Sequence, residues 1–332
     1  MAEIGATYET LSDIKKKLNP NGEPAQLINL LEQTNEMLAD MPWMPTNDAT
    51  THRTSVITSL PTPTERQYNE GGSNDKETAA QFVEGTTNLE IWSEVDAQEV
   101  ENETNPQMFR FQKAQVFLEA MNQAFQNRIL YGNNGTNPKQ INGFCTRYNS
   151  TTATNGQNVI VGGGAQSDNT SLLLIGWGPN KVMGLYPKNT VAGLRHIDKG
   201  LVTKDHVGGT TDAKMDVYRD LYRWQFGVHI ADWRYVVRIP NIDVSSLRAG
   251  SGADLTELMI QAEACIPYPG TARLVWYVPR MVFPWLRIQR RNDVISGGGL
   301  TFENVEGKRV AMFGETPVRM VDGFSLAESL VS

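Results

Sequence analysis

The sequence predicts a mixed α+β protein, and three observations lead to this class. Residues 106–131 carry apolar side chains at helical spacing, which predicts one long amphipathic helix. Residues 215–243 are rich in aromatic and β-branched side chains, which are typical of β-strands. No segment of 20–50 residues recurs along the chain, which excludes a solenoid.

Composition places the 332-residue chain among globular proteins with more than one sub-structure, because 40% of its residues are hydrophobic and 8% are aromatic. No apolar run approaches the ~20 residues that a membrane-spanning helix requires, and the N-terminus lacks the pattern of a signal peptide. We therefore expect a soluble protein, made in the cytosol and without membrane association. The two cysteines, Cys145 and Cys265, lie far apart and are interpreted as small buried side chains.

The formal net charge of −7 argues against a protein whose main task is to grip nucleic acid, since such domains carry a basic excess. A weakly acidic wall around nucleic acid remains compatible with this charge, because tight phosphate binding would hinder packing and release. Composition alone does not decide between these alternatives.

The first 86 residues predict an amphipathic helix followed by a long hairpin. Pro24 suits the first turn of a helix and Pro42 ends it. Its apolar stripe must dock on the body of the protein or on a neighbouring subunit. Residues 53–60 then alternate, and the polar turn residues 69–76 follow, which is typical of a β-hairpin. A disordered linker is the alternative for this stretch.

The remaining elements follow from caps, turns and periodicity. Residues 88–95 alternate as a strand does, and Asn105-Pro106 supplies a helix cap and a first-turn proline. About 26 residues at ~1.5 Å per residue give a rod of roughly 39 Å, which ends at Gly132. Further strands are predicted at 171–175, 181–186, within 215–243, at 273–278, 301–303, 309–313 and 317–321, and further helices after Gly252 and over about 280–291.

No catalytic constellation is present in the sequence. The glycine triplets at 162–164 and 297–299 do not continue into a phosphate-binding loop. The four histidines show no zinc-binding spacing, and no Gly-x-Ser-x-Gly elbow occurs. The pairs His196 with Asp198 and Asp205 with His206 are interpreted as solvated loop residues. The sequence thus predicts no catalytic residue, no metal site and no cofactor.

Two charge clusters have structural interpretations. The acidic run from Glu94 to Glu103 precedes the long helix, where negative charge favours the helix dipole. Arg287, Arg290 and Arg291 form a basic cluster. It fits the last turn of a helix or a salt-bridge partner for a neighbouring subunit, and both are preferred to contact with DNA phosphates.

Five stretches carry a resemblance to a known family: Leu30–Pro61, Phe117-Leu-Glu-Ala-Met-Asn-Gln123, Tyr131-Gly-Asn133, Trp224-Gln-Phe-Gly-Val228 and Asp232-Trp-Arg-Tyr-Val-Val-Arg-Ile-Pro-Asn-Ile-Asp243. In the same order, they resemble the major capsid proteins of tailed bacteriophages of a podophage-type group, which have the HK97-like fold. The resemblance covers nearly the whole chain.

The resemblance implies a shell subunit and not an enzyme. Its subunits would form hexamers and pentamers of an icosahedral shell that encloses double-stranded DNA without sequence-specific binding. Expected regions are an N-arm (1–45), an E-loop hairpin (46–86), a P-domain strand and spine helix (87–139), an A-domain (140–300), and C-terminal strands that return to the P-domain (301–332). Assembly is expected in the host bacterial cytoplasm, with the product in the virion.

Intersubunit contacts and partners are also expectations from this resemblance. The candidate contact residues are Leu30, Leu31, Trp43, Arg53, Val56, Leu60, Arg66, Lys76, Arg287 and Arg290. Some members carry a long scaffolding segment before the N-arm, whereas here the first helix is predicted from Pro24, which implies a separate scaffolding protein. A portal protein is a further expected partner. Covalent cross-linking is not predicted, since Lys76 is the only hairpin lysine and nothing marks an acceptor.

Two alternatives remain at this point. One is a nanocompartment shell of the same fold that encloses proteins. The other is a cytosolic α/β enzyme, which would form a small oligomer.

Overall fold

The structure is a computed structural model that describes residues 35–205, 214–292, 300–305 and 308–332. Contacts divide the chain into two compact units. Among described residues, the first unit contains 89–123 and 194–224, and the second contains 35–88, 124–193 and the described residues from 225 onward. Most of the helix predicted from Pro24 lies outside the described residues.

The bounds of the elements are as follows. The helices are α1 (Met37–Asp40), α2 (Ala97–Glu101), α3 (Pro106–Tyr131), α4 (Phe144–Arg147), α5 (Val244–Ala249), α6 (Leu255–Ala264) and α7 (Phe283–Asn292). The strands are β1 (Trp43–Pro45), β2 (Thr51–Ser59), β3 (Thr78–Gly85), β4 (Thr87–Asp96), β5 (Asn169–Trp177), β6 (Val182–Tyr186), β7 (Leu194–Asp205), β8 (Lys214–Ile230), β9 (Val236–Asp243), β10 (Arg273–Pro279), β11 (Leu300–Val305), β12 (Lys308–Phe313) and β13 (Thr316–Val321).

The first unit contains β4, α2, the first part of α3, β7 and the first part of β8. β8 pairs with β4 and, antiparallel, with β7. Ion pairs cross these elements. Arg110 on α3 lies 2.8 Å from the buried Asp220 and 3.0 Å from Asp198. Glu94, in the acidic run, pairs with Lys204 and Arg219, so part of this run forms specific salt bridges rather than acting on the helix dipole alone.

The second unit is built around a mixed sheet in which β5 is the central strand. β10 and β9 pair antiparallel on either side of β5, and β13 runs parallel to β10. Every residue of β5 and of β9 is buried, so hydrophobic side chains from both strands form the core. The near-continuous apolar run at 171–175 predicts such burial on both faces.

A buried ion pair holds the C-terminal segment on this core. Arg238 on β9 and Glu328 lie 2.7 Å apart, and each side chain is only 4% exposed. Arg238 also donates hydrogen bonds to Ser171 Oγ and to the carbonyls of Cys145 and Tyr148. Such a network satisfies a buried charge that would otherwise be strongly unfavourable.

The long helix has the predicted bounds, 106–131. Asn105 caps it, because the Asn105 side-chain oxygen accepts a hydrogen bond from Met108 N at 3.2 Å. Gly132 follows where a Cβ would lie 2.4 Å from Ile141 O and 2.5 Å from Arg128 O, which requires glycine. Local chemistry at both ends therefore sets the length of this helix.

One prediction is wrong. His196, Asp198 and Asp205 do not lie in a loop, as interpreted, but in strand β7, and His206 lies outside the described residues. The strand was missed because none of its twelve residues is buried and charged side chains are spread along it. Of the helix predicted from Pro24 to Met41, the described part contains only the four-residue α1. The helix predicted over about 280–291 is confirmed as α7, Phe283–Asn292.

Candidate assembly surface

Strands β2 and β3 form a two-stranded antiparallel sheet in the second unit, as the alternation of residues 53–60 predicts. The pairing runs from Thr51 opposite Gly85 to Ser59 opposite Thr78. Among the described residues, no third strand pairs with this hairpin. An isolated two-stranded hairpin is at best marginally stable in water, so this one depends on contacts beyond its own hydrogen bonds.

Large apolar side chains of the hairpin lie in solvent. The register places Ile57 and Val83 on one face of the sheet and Val56 and Phe82 on the other. Ile57 is 55% exposed, Phe82 54%, Val83 56% and Leu60, just beyond β2, 79%. Clustered exposed apolar residues of this kind mark sites of protein–protein contact.

Five of the predicted contact residues lie in the hairpin. Arg53 is exposed, 3.8 Å from Asp48, and its backbone is bonded by the side chain of Asn47. Val56 is half-buried, and Leu60, Arg66 and Lys76 are exposed. The structure therefore presents four of these five side chains to solvent and half-buries the fifth.

The other predicted contact residues are dispersed. Trp43 lies in β1, which pairs parallel with β6 of the same unit opposite Gly184, so at least part of its surface contacts its own subunit. Arg287 and Arg290 both belong to α7, where the side chain of Arg287 is exposed. Leu30 and Leu31 lie outside the described residues.

A charged cluster joins the root of the hairpin to the rest of the second unit. Glu84 on β3 is buried, and its carboxylate lies 2.5 Å from Arg147 Nη1 on α4 and 2.6 Å from His229 Nδ1 on β8. It also accepts a hydrogen bond from Ile230 N at 3.2 Å. On β2, His52 lies directly opposite Glu84, and its ring centroid is 4.6 Å from that of His229. We name these four side chains (His52, Glu84, Arg147 and His229) the root cluster.

The electrostatics of the root cluster favour a charged Glu84 and a neutral His52. Burial opposes ionisation of Glu84, but hydrogen bonds and charge from His229 and Arg147 outweigh it and lower the pKa of this carboxyl. Burial, followed by repulsion from His229, lowers the pKa of His52, although Glu84 acts in the opposite direction. The hairpin root is therefore anchored by a carboxylate that forms an ion pair with Arg147 and a hydrogen bond with His229.

Beside the root cluster lies a groove of about 930 Å³. Its walls include Val56 and Phe82 from the hairpin, Ile141 from the segment after α3, and Trp233. The groove extends the apolar surface of the hairpin onto the body of the second unit.

The sequence did not reveal the root cluster. Glu84 and His229 are 145 positions apart, so no local spacing indicates that they meet. In the sequence, His52 and His229 are two of four histidines that show no zinc-binding spacing. Within the described residues, no group of three or more His, Cys, Asp or Glu side chains could hold a metal ion, and no helix there is long and apolar enough to cross a bilayer.

The fold, a mixed α+β structure with a long helix, a large mixed sheet and an extended hairpin, is that of HK97-like phage capsid proteins. The bacteriophage Epsilon15 structure matches with a TM-score of 0.75 and 29% identity, and covers 100% of this chain and 98% of that chain. The bacteriophage JBD30 capsid matches with a TM-score of 0.44 and 11% identity, over 89% of this chain and 92% of that one. No curated protein matches the sequence.

The sequence model of the family described as "Major capsid protein GP7" matches residues 19–332, and the chain belongs to this family. It is a tailed-phage major capsid protein, a structural component of the virion and not an enzyme. A capsid protein builds its shell from many copies of itself, so the relevant sites are surfaces for self-association.

Proposed function

We propose that subunits of this protein assemble as hexamers and pentamers into a closed icosahedral shell around double-stranded DNA. The exposed apolar residues of the β2–β3 hairpin are the observation that carries this proposal. They leave the free subunit with a surface that a neighbouring copy can cover, and burial of apolar area drives such association.

In this proposal the hairpin crosses onto the adjacent subunit. A compact block would meet its neighbour over a limited area, whereas an extended hairpin adds contact on both of its faces. Obligate interfaces bury on the order of 2,000–5,000 Å² or more. Ile57, Leu60, Phe82 and Val83 would become buried there, while Arg53, Arg66 and Lys76 would make polar contacts at the rim.

The other regions take the roles that the capsid family implies. Residues 1–45 act as an N-arm, 46–86 as the E-loop, 87–139 as a P-domain with α3 as its spine, 140–300 as an A-domain, and 301–332 as strands that return to the P-domain. Leu30, Leu31, Trp43, Arg287 and Arg290 are proposed as further intersubunit contacts.

The proposed partners are a separate scaffolding protein, a portal protein and the enclosed DNA. A net charge of −7 supports enclosure of DNA without tight or sequence-specific binding. Assembly is proposed to take place in the cytoplasm of the host bacterium.

Expression of the chain alone, and together with the products of neighbouring reading frames, followed by negative-stain electron microscopy, tests this proposal. Closed shells, or rings of five and six subunits, are expected, with closure promoted by a scaffolding partner. A uniform small oligomer in every combination would overturn it. Nuclease-resistant DNA within particles from infected cells distinguishes a DNA container from a protein-filled compartment.

A further inference from the structure

The root cluster contains a feature that the capsid role does not require. A buried carboxylate, two imidazoles in an edge-to-face contact and a guanidinium meet where the hairpin joins the second unit, and each comes from a different position on the chain. The Glu84 carboxylate accepts a hydrogen bond from Ile230 N, is hydrogen-bonded to His229 Nδ1, and forms an ion pair with Arg147. Charged contacts within this cluster therefore help to hold the hairpin on its own subunit.

The surroundings of His52 disfavour the protonated form of its imidazole ring. Its Nδ1 is buried and has no hydrogen-bond partner among the described residues. A protonated imidazole donates from both nitrogens, so protonation would bury an unpaired N–H group. The added charge would also lie beside His229, whose ring edge contacts the His52 ring.

From these contacts we propose that the root cluster is a pH-sensitive hinge, which holds the hairpin on its own subunit at neutral pH and releases it on acidification. The hinge is a property of the free subunit, so this proposal does not depend on the proposed intersubunit role of the hairpin. What the release does to shell assembly rests on that proposed function.

The groups that face the cluster come from every element around it. β2 contributes His52 and Thr54, whose hydroxyl lies 3.4 Å from His229 Nε2. β3 contributes Glu84, α4 contributes Arg147, and β8 contributes His229. Asp232 lies near enough to act with Arg147 and Glu84 on the electrostatics of Tyr148, but its own partner is Arg234 at 2.8 Å.

The direction of the pH effect follows from linkage. The pKa of His52 in the closed state is below its ordinary value of 6.5, so the open state takes up a proton first and closure weakens as the pH falls below about 6.5. The pKa of Glu84 is below its ordinary value of 4.5, so its contribution is present above that pH and is lost as the pH falls through the lowered value. Both groups favour opening in acid, His52 first.

Hydrogen exchange of the unassembled full-length subunit tests the hinge. Protection factors, corrected for the pH dependence of intrinsic exchange, would be measured for residues 51–59 and 78–85 at pH 7.5 and pH 5.5. We expect severalfold lower protection at pH 5.5, while β5 keeps its protection. Unchanged hairpin protection in the wild-type subunit would overturn the proposal.

Two variants identify the responsible groups. The His52→Gln subunit should keep most of the hairpin protection that the wild type loses between pH 7.5 and pH 5.5. The control His196→Gln, on β7, should lose hairpin protection as the wild type does. Glu84→Gln should lower hairpin protection already at pH 7.5. If the His52→Gln subunit loses hairpin protection as the wild type does, His52 is not the group responsible for the pH dependence, and the proposed hinge is contradicted. Failure to form shells would not affect these measurements, so the hinge and the proposed assembly role can fail separately.

Discussion

Two β regions of the same unit differ in almost every physical respect. The central strands β5 and β9 are buried along their whole length, whereas the hairpin formed by β2 and β3 exposes large apolar side chains on both faces. A β-strand gains stability chiefly from what covers its faces. The core strands find that cover within the subunit, and we propose that a neighbouring copy covers the hairpin.

This difference separates folding from assembly. Substitutions in the core should change the free energy of unfolding of the subunit, and substitutions on the hairpin should change association with little effect on folding. Weak contacts in the free subunit also permit errors to be corrected before the shell closes. The predictions below test that separation, from the largest expected effect to the smallest.

The largest effect is expected from the buried ion pair beside the core. Arg238→Met should destabilise the unassembled subunit by about 3–5 kcal/mol, because Glu328 would keep a buried charge without its cation. Guanidinium chloride unfolding measures this loss. The matched substitution Arg234→Met removes a local pair whose arginine is half exposed, and should cost less than about 1 kcal/mol. Equal losses for both would contradict the account.

A second pair of matched substitutions compares the two regions directly. Leu174 lies in β5 and is fully buried, so Leu174→Ala should cost about 2–5 kcal/mol of unfolding free energy. Leu60→Ala, at the exposed end of β2, should cost less than about 0.5 kcal/mol in the free subunit. Thermal and denaturant unfolding provide the values. A large loss at Leu60 would show that the hairpin is part of the folding core.

The smallest effect is local opening of the hairpin. Asn47 bonds both the N–H and the carbonyl of Arg53 through its side chain. Asn47→Ala should raise local exchange of residues 51–59 by an amount equivalent to about 1 kcal/mol, without a change in global unfolding. Asn74→Ala, in the hairpin tip, serves as a control. A fall in the free energy of global unfolding of Asn47→Ala would show that the hairpin and the core unfold together.

Local chemistry made much of the fold predictable. Asn105-Pro106 and Gly132 fixed both ends of α3, and the apolar run at 171–175 identified a strand, which the structure shows to be buried on both faces. Strand β7 was missed, because its exposed sequence, with the polar run Asp198-Lys199-Gly200, is typical of loops. It is stabilised by pairing with β8, which no local pattern reveals.

The candidate site was predictable only in part. The alternation of residues 53–60 indicated the hairpin, and the structure confirms it as the pairing of β2 with β3. The root cluster was out of reach, because Glu84, Arg147 and His229 meet through tertiary structure alone. Family resemblance supplied the shell function, but it did not distinguish which hairpin residues are exposed. That distinction required the register of β2 and β3.

The most direct test of the central claim is assembly of the double variant Ile57→Ser, Val83→Ser, which removes the apolar side chains from one hairpin face. The variant would be expressed alone and with the proposed scaffolding partner, and analysed by sedimentation velocity and electron microscopy. Ile260→Ser, on α6 and also 55% exposed in the wild type, is the matched control. We predict a folded double variant, with wild-type circular dichroism and unfolding midpoint, that forms no closed shells, while the control assembles. Closed shells at wild-type yield from the double variant would contradict the claim that the hairpin is the assembly surface.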